Sequence, residues 1–325
     1  MKNKVIIQTL SFVTLFYTAP SLSSDEYGPL LSYVQSPLHS TRHTPTLRSG
    51  FPINDGDVEL FASFTAASIW ANSDHYHLDY YQNQLHTGLR WQVSNNWQFE
   101  LNYRWLYAGN NHLDSLIIDF HDFFSIDQAG RDQKNKHEFD IYAPQHDVKV
   151  SDFSGDTLTS AFTLYSQYQL INTQSHGLSF GVALYRNNVN NGIFEGESFE
   201  QSAQLNYSYA FTDQSIYTSV AITHQSDYER KNDFPHKSTL LSFMAGYRLE
   251  LLTNHELHLE YRLYEGAENG PTEFSESANE ILFGYRYKLP FGAVELSIIE
   301  NIINMDNSTD VGFQIAYRHR IRNSD

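Results

Sequence analysis

From Asp57 onward the chain settles into a two-residue rhythm of apolar and polar positions that hardly breaks before its end. Residues 97–107 show it clearly: Trp97, Phe99, Leu101, Tyr103, Trp105 and Tyr107 alternate with Gln98, Glu100, Asn102 and Arg104. A period of two places each set on its own face of a β-strand. The rhythm predicts twelve strands, over 55–71, 75–93, 97–108, 156–171, 178–188, 198–211, 215–225, 237–251, 256–265, 278–289, 293–301 and 309–321. Soluble strands run to about five or six residues, whereas a tilted strand that crosses a bilayer needs about 9–11. Most of these runs reach the longer figure.

The links between the runs point the same way. Those near 94, at 212–214, at 253–255 and at 290–292 are tight, and most of the alternate ones, above all 109–155, 226–236 and 266–277, are long and polar. Short turns at one end and long loops at the other are the habit of a membrane barrel. The link at 72–74 dissents, being short on the long-loop side. Trp97 and Trp105 share a face, eight residues and so about 26 Å apart, which suits the two edges of an apolar band about 25 Å tall. A periplasmic β-sandwich explains the alternation but not the strand length. The expected fold is all-β: a transmembrane antiparallel up-and-down β-barrel of about 12 strands, with a short helix in a long loop.

Three segments break the rhythm. Residues 1–24 begin with Lys2 and Lys4, continue with a mostly apolar stretch and end on Ser23 and Ser24, the layout of a cleaved signal peptide. Residues 25–54 hold Pro29, Pro37, Pro45 and Pro52 and read as an extended N-terminal segment before a barrel over 55–321. In the 109–155 insertion, Leu113, Leu116, Ile117, Phe120 and Phe124 fall at helical spacing, Asn111 and Asp114 suit a capping box, and Gly130 suits a stop.

Composition narrows the function. The chain has no cysteine, which removes disulfides and thiolate metal sites. With 38 acids against 21 bases its net charge is −17, which disfavours nucleic acid as a partner. Mixed charge falls on the polar strand faces, at Glu100, Arg104, Glu200, Arg248, Glu260, Arg262, Arg286 and Arg318, and argues against strong ion selectivity in a lumen.

Candidate chemistry is sparse. The polar residues Asp119, His121, Asp122, Arg131 and Asp132 of the insertion could bind or gate a ligand, or simply tie the loop down through an Arg131 ion pair. His224/Ser226 and His236/Ser238 could each pair a base with a serine nucleophile, at a spacing that chance supplies readily. His75 and His77 lack a third metal ligand. No phosphate-cradling loop or other cofactor motif appears, so neither a cofactor nor a metal is expected.

Two stretches carry resemblances. Asp310-Val-Gly312-Phe-Gln-Ile315-Ala-Tyr317 resembles the C-terminal signal that outer-membrane barrels present to their insertion machinery, although residues 318–325 follow it here. IIDFHDFFSIDQAGRDQ, at 117–133, resembles the signature of an uncharacterised proteobacterial family defined only as a domain of unknown function; Phe120-His121-Asp122-Phe123-Phe124 and Gly130-Arg131-Asp132 carry the likeness, and Tyr27-Gly28-Pro29-Leu30 fits it. The resemblance implies an outer-membrane barrel of a Gram-negative bacterium and supplies no catalytic residues. The expected function is therefore non-enzymatic, a narrow channel or a structural barrel among phospholipid and lipopolysaccharide. The alternative is an outer-membrane lipid hydrolase that cleaves acyl esters with a Ser/His pair.

Overall fold

The computed structural model describes residues 27–113, 138–225, 229–230, 234, 236–270, 272–304, 307 and 309–323. Its strands in chain order begin with β1 (Val58–Asn72), β2 (His77–Ser94), β3 (Trp97–Ala108), β4 (Asp140–Ala143) and β5 (Val148–Ser151). β6 (Thr157–Asn172), β7 (His176–Val189), β8 (Gly196–Ala210), β9 (Gln214–Gln225) and the short β10 (Glu229–Arg230) follow. The last are β11 (Thr239–Leu252), β12 (His255–Tyr264), β13 (Ala278–Leu289), β14 (Gly292–Asn301) and β15 (Val311–Ile321).

Leaving out β4, β5 and β10, each strand pairs antiparallel with the next, and β1 pairs both with β2 and with β15, Val58 standing opposite Trp91 and Ile321. The ring is a closed barrel of twelve strands, as the rhythm predicted. The twelve observed strands lie within a few residues of the predicted ones. The dissenting link is real: residues 73–76 form a tight turn in which Ser73 N–H donates to Tyr76 C=O, and His75 Nδ1, 3.0 Å from Glu273 Oε2, ties it to the loop beside it.

The barrel is inside out by the standards of a soluble protein. Trp97, Leu101 and Trp105 are 44, 45 and 36% exposed, while Glu100, Asn102 and Arg104 beside them are 3, 1 and 2% exposed. Other strands repeat this, with Leu164, Leu184, Ile222 and Leu259 outward and Gln167, Tyr185, Thr223 and Glu260 inward. Strand periodicity alone generates both faces.

The long links gather at one end, here the loop end, and the short ones at the other, the turn end. At the loop end β4 and β5 form a hairpin that continues the sheet from β2, His77 standing opposite Tyr142. Leu78, Tyr80, Phe139, Phe153, Phe194 and Phe274 pack there into an apolar cap. Tyr76 and Phe274 stack within it, with centroids 3.9 Å apart. The helix expected over 113–124 falls almost wholly on residues outside the described ones. The described α-helix, α1 (Pro37–Ser40), lies elsewhere, inside the barrel.

Candidate functional site

The lumen is occupied by the Pro-rich segment that precedes β1. A backbone without regular structure buried inside a barrel must find partners for its N–H and C=O groups. The barrel wall supplies them. From Tyr27 the segment climbs away from the turn end. Arg286 Nη2 donates to Gly28 C=O (2.9 Å), Leu30 N–H donates to Glu260 (2.7 Å) and Leu31 N–H to Glu295 (3.0 Å). Arg262 donates to Ser32 C=O (3.0 Å), and the N–H groups of Gln35 and Ser36 both donate to Glu280 Oε1 (2.7 and 3.0 Å).

At the loop end α1 turns the chain round. Pro37 starts it with a preset φ, Leu38 enters the apolar cap, and Ser40 Oγ donates to Gln82 (3.2 Å). His39 Nε2 lies 2.9 Å from the carbonyl of Glu265. Burial under the cap pushes His39 down to about 4 from 6.5; the Glu265 carbonyl opposes that shift, and nearby His236 and Lys237 add to it.

The chain then descends beside itself. Arg42 pairs with Glu200 (2.9 Å), His43 N–H donates to Glu200 (2.8 Å), and Gln204 donates to Thr46 C=O (2.8 Å). Arg48 meets Glu100 at 2.8 Å, and Gly50 N–H donates to Ser208 Oγ (2.8 Å). Residues 27–54 thus form a hairpin through the bore, with both ends at the turn end and its tip under the cap. Small wall residues make room for it. A Cβ on Gly284 would lie 2.4 Å from Leu30, and one on Gly177 would lie 2.7 Å from the backbone of Gly50.

Little space is left. A cavity of about 310 Å³ opens at the turn end, bordered by Tyr27, Arg48, Phe51, Arg90 and Gln167, and one of about 30 Å³ lies between the two limbs. The wall arginines are tied into carboxylate chains: Arg286 joins Glu256 and Glu295 at 2.8 and 2.7 Å, and Arg318 joins Glu295 and Glu59 at 2.8 and 3.4 Å.

Asp119, His121, Asp122, Arg131 and Asp132 lie outside the described residues. So does Ser226, while Ser238 is exposed and its carbonyl accepts Gln225 N–H (2.8 Å). His75 is engaged by Glu273, and no cluster of three metal-ligating side chains occurs among the described residues. The residues that sequence reasoning left without a role are 27–54 themselves. The nearest signal was the mixed charge on the wall, at Glu100, Arg104, Glu200 and Glu260, which does not by itself tell a filled bore from an open one.

A family model described as "Protein of unknown function (DUF3187)" matches residues 5–321. No curated protein matches the chain. Among solved structures, the COG4313 outer membrane channel from Pseudomonas putida F1 shares 11% identity and superposes with a TM-score of 0.51, over 86% of this chain and 100% of that one. The NanC porin shares 10% identity with a TM-score of 0.45, over 81% and 100% of the two chains. At 11% identity the likeness to the COG4313 channel is one of fold alone.

Proposed function

The chain belongs to the DUF3187 family of proteins of unknown function, and on its own geometry we propose that it is an outer-membrane channel closed by its own residues 27–54. The observation behind this reading is the chemistry of the segment's seat. The hairpin is held by ion pairs and single hydrogen bonds to a polar wall. Water can replace such contacts one by one, and each, as a hydrogen bond to a charged group, is worth about 1.5–3 kcal/mol net. A barrel filled for stability alone would do better with an apolar core.

The remaining pieces follow. Residues 1–24 direct export and are removed. The outward apolar face meets phospholipid and lipopolysaccharide, the segment around Asp310–Tyr317 addresses the insertion machinery, the turn end faces the periplasm and the loop end the outside. Such an arrangement belongs to a Gram-negative outer membrane.

Two measurements test the reading. The protein should fractionate with the outer membrane and migrate faster on mild detergent gels before heating than after. In planar bilayers the full chain should be closed for most of the time, and a 27–54 deletion that keeps its heat-modifiable migration should conduct steadily. A folded deletion that passes no current would reject the channel.

A further inference from the structure

Five lumen-facing side chains on adjacent strands form a patch that the closing segment covers without satisfying. Ser63 stands opposite His86, and Thr65 opposite Gln84, across β1 and β2. His86 in turn stands opposite Arg104 across β2 and β3. All five are buried. Among the described residues, Ser63 Oγ, Thr65 Oγ1, both amide atoms of Gln84, both ring nitrogens of His86 and Nη1 of Arg104 have no hydrogen-bond partner. Buried polar groups are costly when left unpaired. A wall shaped only to seat the segment would have had no use for them.

Arg104 differs from its neighbours. Arg90, Arg248, Arg262, Arg286, Arg318 and Arg320 each meet a wall carboxylate. Among the described residues Arg104 meets none. Its Nη2 donates instead to the carbonyl of Arg42 (2.7 Å). A buried guanidinium without a carboxylate is a receptor for one.

Tyr33 shows the shape of what fits beside it. Its ring centroid lies 4.9 Å from the Arg104 guanidinium carbon and 4.8 Å from the His86 ring, which it meets edge-on. Its hydroxyl donates to Asn102 Oδ1 (3.4 Å). A flat ring with a hydroxyl therefore already sits between the cation and the imidazole, held by a cation–π contact. It belongs to the segment that must leave for the bore to open.

We propose that this patch is a solute subsite, exposed when residues 27–54 withdraw, for a small aromatic carboxylate that carries a ring hydroxyl. The carboxylate lies on Arg104 Nη1 and the Gln84 amide, the ring replaces that of Tyr33 against His86, and the hydroxyl replaces that of Tyr33 at Asn102. Ser63 and Thr65 complete the polar rim. The inference rests on the channel reading, because the segment covers the patch in the closed form.

The test separates the two. Tyr33→Ala vacates the ring position in the full chain, and isothermal titration in detergent at neutral pH compares 4-hydroxybenzoate with its uncharged match, 4-hydroxybenzyl alcohol. The acid should bind the variant about tenfold more tightly than the alcohol, the size of one charge-assisted hydrogen bond, and Arg104→Gln added to Tyr33→Ala should remove the preference. Equal binding of the two compounds, binding of neither, or a preference that survives Arg104→Gln overturns the subsite. Swelling of proteoliposomes bearing the full chain with Arg48→Met, which frees the descending limb from Glu100, supplies the second arm, and it decides alone if Tyr33→Ala does not fold. Faster swelling in the acid supports the subsite. Equal rates overturn it and keep the channel. Swelling in neither compound, beside a positive titration, overturns the channel and keeps the anion site.

Discussion

Arg48 grips Glu100 with both ends of its guanidinium, Nη1 to Oε2 and Nη2 to Oε1, each at 2.8 Å, and so joins the descending limb to β3. The same guanidinium lies 3.7 Å from the ring centroid of Tyr165. Removing one partner of a buried pair costs about 3–5 kcal/mol, because the other charge is stranded. Glu100 retains Arg90 at 2.9 Å, so Arg48→Met should fall at the low end. The expected result is faster protease cleavage within 27–54 and a larger open fraction in planar bilayers. Arg186 and Glu197, both 68% exposed on β7 and β8, are the control; replacing either should change stability by under about 1 kcal/mol. Equal protease sensitivity of the Arg48 and Arg186 variants would count against the docked segment.

Gly50 and Gly177 meet backbone to backbone. A Cβ on Gly177 would lie 2.7 Å from Gly50 C and O, atoms that cannot swing aside as a side chain can. Gly177→Ala should therefore lift the descending limb off β7 at a cost of about 1–3 kcal/mol, the usual range for overpacking. Cysteine crosslinking between a residue of the limb and the wall, with the rest of the barrel unchanged by circular dichroism, would report it. An unaltered crosslinking yield would show that the limb does not rest there.

Depth on the outer face can be read with a single charge. Leu101 sits mid-strand and Trp105 nearer the loop end of β3, 45 and 36% exposed. An arginine at the bilayer midplane costs about 2–4 kcal/mol and near an interface about 0–1. Leu101→Arg should therefore reduce insertion into vesicles more than Trp105→Arg. Equal yields would place the apolar band elsewhere. Arg104→Trp, which the alternation alone would treat as a mild lumen change, is not mild, because Arg104 is buried against Tyr33 and donates to Arg42 C=O.

Closure is expected to depend on pH through His39. Docked under the cap its imidazole has a pKa of about 4, against 6.5 when free. Above about 6.5 it is neutral in both states, and the docked form keeps its full stability. As pH falls from there toward about 4, the released tip takes up a proton that the docked tip cannot, and docking weakens. The open fraction in planar bilayers should rise between pH 7 and pH 4.5, and His39→Gln should flatten that rise. A rise of the same size in His39→Gln would assign it to other groups.

The wall was legible in the sequence because most of its strands obey one local rule. Trp97 to Tyr107 declares its two faces without reference to anything else, and β8 and β12 do the same. The hairpin obeys no local rule. Leu30 and Glu260, Gln35 and Glu280, Arg42 and Glu200 lie 150 or more positions apart, and nothing in Pro29 or Pro45 names a partner on a distant strand. The sequence placed Glu100, Arg104, Glu200, Arg248, Glu260, Arg262, Arg286 and Arg318 inward, where they stand. It did not say that a chain segment would meet most of them, because charge of both signs on a polar face fits an open bore as well as a filled one.

Both limbs of the hairpin pass through the same mouth, which sets how they can leave. No chain has to be threaded through a shut ring, and the segment can enter after the seam between β1 and β15 has zipped. Traction on the chain at Tyr27 would meet Arg286 and Arg318 first, then Glu260 and Glu295, then Glu280. The fastenings of the ascending limb would break in series, as a zipper opens, rather than together as in shear. A seat made of many weak fastenings can thus hold firmly at equilibrium and still yield to a modest pull from one side.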